Sequence, residues 1–276
     1  MPATTPARVV AVRDGAALGR DDVVATEEPM EIRAAGPDQE PVRVAVTMRT
    51  PGHDPELAVG FLFTEGLLDG REDLAARPVR EPAATANKNN RVTVVLNRRF
   101  DAERFARNFY ATSSCGICGK AAIEQVEIAS VPVAKGPVVP LSVILALPAA
   151  LRRGQAAFER TGGVHATGLF DASGDLVVLR EDVGRHNAMD KAIGRLVLDG
   201  RVPAAEVIAM VSGRASFELV QKAAMAGIPM LCAVSAPSSL AIGLAEKLGM
   251  TLVGFVRDKG LNVYCGAERV ALPASA

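Results

Sequence analysis

The strongest fold signal lies in residues 207–256, VIAMVSGRASFELVQKAAMAGIPMLCAVSAPSSLAIGLAEKLGMTLVGFV. The stretch contains three short apolar runs that predict buried strands, and the segments between them have the apolar spacing of helices. The predicted strands are Val207–Val211, Met230–Val234 and Thr251–Val256, the predicted helices span residues 216–226 and 238–248, and a last strand follows near Leu261–Tyr264. Strands that alternate with helices through short loops are typical of a parallel sheet covered by helices.

The residues before this stretch continue the pattern. Val164–Phe170 and Leu176–Leu179 predict two strands joined by a D-A-S-G-D turn, and Val183–Leu198 predicts a helix. A further helix is expected over residues 149–160, where Thr161-Gly162-Gly163 ends it. We therefore expect residues 141–276 to form an α/β cofactor-binding domain with three layers, α/β/α, around a largely parallel sheet.

The first 110 residues predict a smaller, mostly β N-terminal subdomain. Residues 42–48 and 93–96 have the character of strands, and the first of these segments alternates with a period of two. Asp54 is expected to cap a helix that begins at Pro55. The Ala/Pro/Arg-rich residues 1–19 are expected to begin loosely. Residues 111–140 are expected to form a flexible C-x-x-C loop, a short helix and a linker.

The composition excludes several classes of protein. Of 276 residues, 49% are apolar and 22% are charged, a globular composition that rules out a wholly disordered chain. The 31 basic and 31 acidic side chains cancel, and the chain has two Tyr and no Trp, so no nucleic-acid partner is expected. No apolar run reaches about 20 residues, which predicts no membrane span, and no signal peptide is recognisable. The few, unevenly placed cysteines fit a reducing compartment, so we expect a cytoplasmic protein.

One pair of cysteines, Cys115 and Cys118, forms a C-x-x-C motif. Such a pair can be half of a zinc site, a dithiol redox pair or a nucleophilic thiol with a helper. No second C-x-x-C supplies further zinc ligands, and packing is the expected role of Cys232 and Cys265 in or beside apolar strands. A thioredoxin-like pair would lie at a strand-to-helix junction, whereas this pair follows a helix predicted over Ala102–Tyr110. The pattern favours a reactive thiol over chance spacing or a labile disulfide.

Local electrostatics also favour a reactive thiol. Residues 119–127, GKAAIEQVE, predict a helix, so both cysteines precede a helix N-terminus. The partial positive charge of that terminus and the nearby Lys120 both favour a thiolate. Cys115 and Cys118 are therefore the catalytic candidates, and no metal is predicted at them.

Polar residues crowd the start of the helix that follows residue 182. Asp182 is expected to cap this helix, and Arg185, His186 and Asn187 lie in its first turns. Many polar groups at a helix start directly after a strand indicate a ligand site. The alternative is a solvated helix with a good cap. His165 in the preceding hairpin is either part of the same site or a core histidine.

Three loops that leave the predicted strands carry small hydroxyl residues or cations. The loops are Ser212–Ser216, Ser235–Ser239 and Arg257–Gly260. Open α/β sheets bind ligands at the carboxyl ends of their strands, and exposed amides and arginines suit an anion. The motifs of P-loop NTPases and Rossmann dehydrogenases do not occur. A large phosphate-bearing ligand therefore fits these loops, while ordinary helix capping is the alternative for each loop alone.

Five motifs occur in one order along the chain. They are Ser113–Gly119 (SSCGICG), Thr161–His165 (TGGVH), Arg180–Lys191 (REDVGRHNAMDK), Ser212–Arg214 (SGR) and Phe255–Gly260 (FVRDKG). Together they resemble the FdhD family of formate dehydrogenase accessory sulfurtransferases, and the resemblance extends over nearly the whole chain. Each motif is long and their order matches, which makes the resemblance specific.

The resemblance implies an activity and partners. Members of the family accept sulfur from a cysteine desulfurase as a cysteine persulfide. They pass it to the molybdenum bis(molybdopterin guanine dinucleotide) cofactor before that cofactor enters formate dehydrogenase. The first cysteine of the family's pair carries the persulfide, and Cys115 matches it. The family precedent also suggests a homodimer and GDP as a surrogate ligand.

The resemblance also implies a cofactor site. The segment that matches the family's cofactor-binding residues is Phe255, Val256, Arg257, Asp258, Lys259 and Gly260. The candidates added from the helix start and from the first loop are Asp182, Arg185, His186, Asn187, Ser212 and Arg214.

The implied fold is that of cytidine deaminases, which makes a zinc deaminase the necessary comparison. Those enzymes use H-x-E followed by P-C-x-x-C. Here Ala188 stands where the glutamate would follow His186, and the C-x-x-C precedes the histidine. The deaminase chemistry is therefore not supported. The remaining alternatives to a sulfurtransferase are a non-catalytic cofactor-binding protein and a dithiol oxidoreductase.

Overall fold

The computed structural model describes residues 2–80, 90–100 and 132–272. Cys115, Cys118 and the helices predicted over 102–110 and 119–127 lie outside these residues. The first part of the chain forms strands β1–β6 and helix α1. The strands span Thr4–Arg13, Ala16–Ala25, Glu28–Ala35, Val42–Arg49, Val79–Arg80 and Arg91–Val95, and α1 spans Asp54–Thr64. Strands β1 and β2 form a separate antiparallel ribbon, and the other four form a mixed sheet in the order β4-β3-β6-β5.

The second part of the chain contains helices α2–α6 and strands β7–β14. The helices span Leu141–Arg153, Ala156–Thr161, Arg185–Leu198, Phe217–Met225 and Ser239–Lys247. The strands span Val139–Pro140, His165–Phe170, Leu176–Asp182, Ile208–Val211, Met230–Ala233, Thr251–Arg257, Gly260–Cys265 and Val270–Ala271. Six of these strands form one sheet in the order β13-β12-β11-β10-β8-β9.

Helices cover both faces of the six-stranded sheet, which confirms the α/β fold class. On one face, α4, α5 and α6 bury apolar side chains against the sheet, among them Ile193, Leu219, Leu244, Leu231 and Leu252. On the other face, α2 buries Ile144, Leu147 and Leu151 against Phe170, Met210 and Val253. Because side chains alternate along a strand, neighbouring residues such as Ala209 and Met210 serve opposite faces.

The sheet is less parallel than the sequence predicts. Only β10, β11 and β12 pair in parallel with one another. Strand β8 runs antiparallel to β10, β9 antiparallel to β8, and β13 antiparallel to β12. The reason is the short turns inside the β8–β9 and β12–β13 hairpins, because only a crossover connection can return a strand in parallel.

Two further local expectations are wrong. Residues 1–19 do not begin loosely: β1 and β2 pair from Thr4 with Ala25 to Arg13 with Ala16, around an Asp14-Gly15 turn in which both residues have positive φ. This dipeptide is a strong hairpin signal and outweighs the composition. The helix predicted over 149–160 is two helices, since α2 ends at Arg153 and α3 begins at Ala156. The predicted domain boundaries at residues 110 and 140 stay predictions.

The cap predicted at Asp54 is also wrong. His53, in the left-handed region, is the N-cap residue of α1, and it makes no side-chain capping bond. Asp54 is buried and binds the guanidinium of Arg49, with Nε–Oδ1 and Nη2–Oδ2 distances of 2.9 and 3.1 Å. Arg80 approaches the same carboxylate at 3.0 Å. A fully buried arginine needs a charged partner, and this need outweighs the local capping preference.

Helix α1 packs against α4, and this contact joins the two parts of the chain. Gly60 of α1 and Gly194 of α4 let the backbones approach closely. A Cβ added at Gly194 would lie 1.9 Å from the carbonyl oxygen of Glu56, and one at Gly60 would lie 1.8 Å from that of Asp190. The contact fixes α4, whose N-terminus lies at the edge of the sheet described below.

Gly194→Ala is expected to destabilise the protein by about 1–3 kcal/mol, because the added methyl group has to push the two helices apart. Gly243→Ala in α6 is the matched control, since nothing lies within 4 Å of a Cβ there. The control should be neutral or stabilising by about 0.5–1 kcal/mol, because alanine suits a helix better than glycine. Urea unfolding of both variants checks the prediction, and equal effects of the two changes would contradict the close approach.

Candidate functional site

The three loops predicted to hold a ligand meet at one edge of the sheet. Strands β10, β11 and β12 are parallel, so their carboxyl ends lie side by side. Backbone hydrogen bonds join the loops: the Ser235 amide donates to the Gly213 carbonyl at 3.3 Å, and the Phe255 amide donates to the Ser235 carbonyl at 3.2 Å. The guanidinium of Arg257 donates to the carbonyl of Val234. The three loops therefore lie close enough together to contribute to one ligand site.

Antiparallel pairing brings two further elements to the same edge. Strand β8 starts there, so His165 lies beside the loop after β10: a Cβ at Gly213 would be 3.3 Å from His165 Nδ1. The Ser212 hydroxyl accepts a hydrogen bond from the Ala166 amide at 2.9 Å. Strand β9 ends opposite His165, at Asp182, and α4 then begins at Arg185.

The side chains at the start of α4 form part of this edge. His186 Nε2 lies 2.6 Å from Glu218 Oε2 and 3.3 Å from the Ser216 hydroxyl. The Nε of Arg185 is buried and has no hydrogen-bond partner in the part of the chain that the structure describes. A buried donor without a partner is costly, which favours an anionic ligand that completes it.

The environment also controls protonation at this edge. Burial, and then the positive charges of Arg185 and His186, lower the pKa of His165, so His165 is neutral at pH 7. The hydrogen bond from His186 holds the pKa of Glu218 below its ordinary value, so Glu218 is ionised. The edge therefore contains cations, a neutral imidazole and a paired carboxylate.

Two predicted site residues lie beneath the surface. Asp182 does not cap α4, whose N-cap residue is Gly184; its Oδ2 instead lies 2.6 Å from Lys191 Nζ and accepts the Thr50 amide at 3.1 Å. Asn187 donates to the Met48 carbonyl at 2.7 Å and to Asp182 at 3.2 Å. Both side chains are committed to partners within the chain, so their role is to hold the start of α4 against β4.

The predicted Phe255–Gly260 segment forms the end of β12 and its turn into β13. Arg257, Asp258, Lys259 and Gly260 are exposed, whereas Val256 is fully buried in the core and so supports the segment from beneath. Phe255 has a φ of 53° and a 42% exposed side chain. Arg214, in the loop after β10, is also exposed and makes no hydrogen bond or ion pair with any residue that the structure describes.

Sequence reasoning missed Glu218 and the buried charges below it. Lys222 Nζ lies 2.9 Å from Asp190 Oδ1 and 3.6 Å from Glu65 Oε1, in a cluster formed by α1, α4 and α5. Glu218 stands in the first turn of α5, two residues after Ser216, and resembles an ordinary helix-start acid. Nothing local in the sequence indicates that its partner lies 32 positions earlier. Among the described residues, no group of three or more His, Cys, Asp or Glu side chains could hold a metal ion.

The comparison with protein families matches residues 25–271 to the model described as the FdhD/NarQ family. The chain belongs to the FdhD/NarQ family. A relative in Streptomyces coelicolor named sulfur carrier protein FdhD is 49% identical over 97% of this chain and 96% of its own length. A relative of the same name in Mycolicibacterium paratuberculosis is 47% identical over 98% and 100%.

A solved structure also resembles this FdhD/NarQ chain. It is the crystal structure of a protein of Desulfotalea psychrophila, described as a formate dehydrogenase accessory protein. It is 27% identical, has a TM-score of 0.76 and covers 98% of this chain and 100% of its own. The family and fold expected from the motifs are thus confirmed. None of the described helices has the length and apolar character to cross a membrane.

Proposed function

We propose that this protein is a sulfurtransferase that carries sulfur, as a cysteine persulfide, from a cysteine desulfurase to the molybdenum bis(molybdopterin guanine dinucleotide) cofactor. The cofactor is a substrate here, and it would receive sulfur before it enters formate dehydrogenase. The observation that carries the proposal is the cationic edge of the sheet, formed in a member of a family whose relatives are named sulfur carriers.

The thiol chemistry is proposed for Cys115. Its thiolate attacks the outer sulfur of the donor persulfide, a new S–S bond forms at Cys115, and the donor cysteine leaves as a thiolate. The outer sulfur then passes to molybdenum as neutral sulfur, with the metal supplying the electron pair and the proton remaining on the Cys115 thiol. Cys118 acts as a second docking thiol or as a hydrogen-bond donor to the persulfide.

The described residues suit the phosphate groups of the guanine dinucleotides. Arg257 ends β12, Lys259 lies in the β12–β13 turn and Arg214 lies in the loop after β10. The unpartnered Nε of Arg185 lies at the start of α4. Arginine binds phosphate through charge-assisted hydrogen bonds. Gly260 leaves space for close approach, since nothing lies within 4 Å of a Cβ there.

The proposal is tested by complementation. A bacterial strain that lacks its own sulfur carrier and makes no active formate dehydrogenase receives this chain together with a matching desulfurase. Recovery of formate oxidation by the folded enzyme supports the proposal, and its absence with well-expressed protein contradicts it. Cytoplasmic location and a homodimer are part of the proposal and are checked by fractionation and by light scattering.

The second candidate function is a non-catalytic binding protein for the same cofactor. The convergence of three cation-bearing or hydroxyl-bearing loops favours it as well, because that geometry concerns binding and not sulfur chemistry. The two functions differ at the cysteines. A binding protein would protect the cofactor without ever holding transferable sulfur.

Arg257→Ala is expected to weaken GDP binding about tenfold or more, because a charge-assisted hydrogen bond contributes about 1.5–3 kcal/mol. The guanidinium is held at the edge by the carbonyls of Val234 and Val256, so it is positioned before the ligand binds. Calorimetry measures the change. Arg201→Ala, an exposed arginine beyond the end of α4, is the control and should leave the affinity unchanged. Unchanged affinity in Arg257→Ala would remove the β12–β13 turn from the site.

A further inference from the structure

A carboxylate lies at an edge that is otherwise suited to anions. Glu218 stands in the first turn of α5, and its side chain is 47% exposed. Its ionised form would repel a phosphate ligand unless a neighbouring group neutralised it. The partner that does so is His186, at a distance of 2.6 Å between Nε2 and Oε2.

The charges around His186 come from three elements. Arg185 and Asp190 lie on its own helix α4, Glu218 and Lys222 on α5, and His165 on β8. Lys222 is paired with Asp190 and with Glu65, so its charge is already compensated. His165 is kept neutral by burial and by its cationic neighbours. Glu218 is therefore the carboxylate whose negative charge is neutralised only while His186 is protonated.

The contact has the geometry of a charge-assisted hydrogen bond. Nε2 of His186 donates to Glu218, with the Ser216 hydroxyl 3.3 Å from the same nitrogen. The ring is thereby oriented, and Nδ1 has no hydrogen-bond partner among the residues that the structure describes. In the protonated ring Nδ1 is a second donor, and it is free to serve a ligand.

We propose that Glu218 is a positioning residue of the anion site, which orients the ring of His186 through the 2.6 Å contact, and that protonated His186 is a cationic contact for the ligand's phosphates. This inference rests on the proposed function, because it takes the guanine-dinucleotide phosphates as the ligand. The pair is neutral while His186 is protonated. It becomes a single negative charge when His186 loses its proton, and phosphate affinity then falls.

The test is calorimetry of GDP binding from about pH 6 to about pH 9, the range that brackets histidine titration. Relative to His186→Gln, we expect the wild-type protein to lose affinity about tenfold across this range, as one uncompensated charge near a polyphosphate would produce. His186→Gln should bind weakly at every pH, at the level that the wild type reaches at high pH. Glu218→Gln should bind more tightly than the wild type at high pH, because the negative charge is gone.

The ionisation of GDP itself changes the affinity of every variant in the same way, so a comparison between variants cancels this effect. Thermal unfolding confirms that each variant is folded. A merely structural pair would give a different result: both variants would weaken binding and keep the wild-type pH profile. That result, or a wild-type pH profile identical to that of His186→Gln, overturns the inference and leaves the proposed function intact. Failure of the wild-type protein to bind GDP at any pH overturns both.

Discussion

Cys115→Ala is expected to abolish the maturation of formate dehydrogenase while GDP binding and the stability of the fold stay unchanged. Only a thiolate can take sulfur from a persulfide, and alanine offers no nucleophile. The described cysteines cannot replace it, because burial raises the pKa of Cys232 to about 12 and also raises that of the half-buried Cys265. Formate oxidation in the complemented strain and calorimetry with GDP measure the two outcomes.

Two matched changes serve as controls for this result. Cys265→Ser should leave maturation at the wild-type level, because its thiol is held against the Met250 carbonyl at 3.4 Å. Cys118→Ala should retain sulfur loading with reduced maturation. Wild-type maturation by Cys115→Ala would show that Cys115 is not the carrier. Loading on Cys118 in that variant would show that the two thiols share the role.

Lys191→Met is expected to lower the free energy of unfolding by about 3–5 kcal/mol, the typical result of breaking a buried ion pair. Lys191 is 1% exposed, and its Nζ bonds Asp182 at 2.6 Å and the Thr50 carbonyl at 2.8 Å. The variant leaves the fully buried Asp182 without its counter-charge. Because this contact holds the start of α4 against the end of β4, GDP binding should also weaken. Urea denaturation measures the first effect and calorimetry the second.

Arg195→Met is the control, because it removes an arginine–aspartate pair at the surface. Arg195 pairs with Asp199 one turn along the same helix and lies 3.9 Å from Glu56. Its side chain is 39% exposed, so its loss should cost only about 0.2–1 kcal/mol. Similar destabilisation by both changes would mean that the buried Lys191–Asp182 pair contributes no more to stability than an exposed pair does.

The C-terminal half of the fold was predictable because its signals are local. Each of β10, β11 and β12 is a short apolar run, and each predicted helix between them has the spacing of an amphipathic helix. The N-cap at Ser238, which accepts from the Ala241 amide, is of the kind that sequence reasoning expects. The direction of the strands at the sheet edges was less predictable. It depends on whether a short turn or a crossover connects each strand to its neighbour in the sheet.

The errors at Asp54 and Asp182 share one physical cause. An aspartate just before a helix has the pattern of a cap, but both carboxylates are buried and pair with Arg49 and Lys191. A buried cation requires such a partner, and the energy involved exceeds that of a cap. Burial depends on the packing of α1 against α4, which no window of sequence reveals.

The candidate site was likewise predictable from the sequence only in part. The loops after β10 and β12 could be predicted, because the carboxyl ends of parallel strands share one edge. The His186–Glu218 contact could not, since its two residues stand on different helices and meet only when α4 and α5 pack together. Val256 was included in the cofactor-binding segment because of the family resemblance. Its side chain is fully buried, so it supports the segment from the core.

The most direct test of the central claim is mass spectrometry of the protein after incubation with a cysteine desulfurase and cysteine. We expect that the intact protein gains the mass of one sulfur atom, that peptide mapping under non-reducing conditions locates the gain at Cys115, and that a reductant removes it. A protein that stays at its original mass while the desulfurase turns over, or that gains sulfur only at Cys232 or Cys265, would contradict the account.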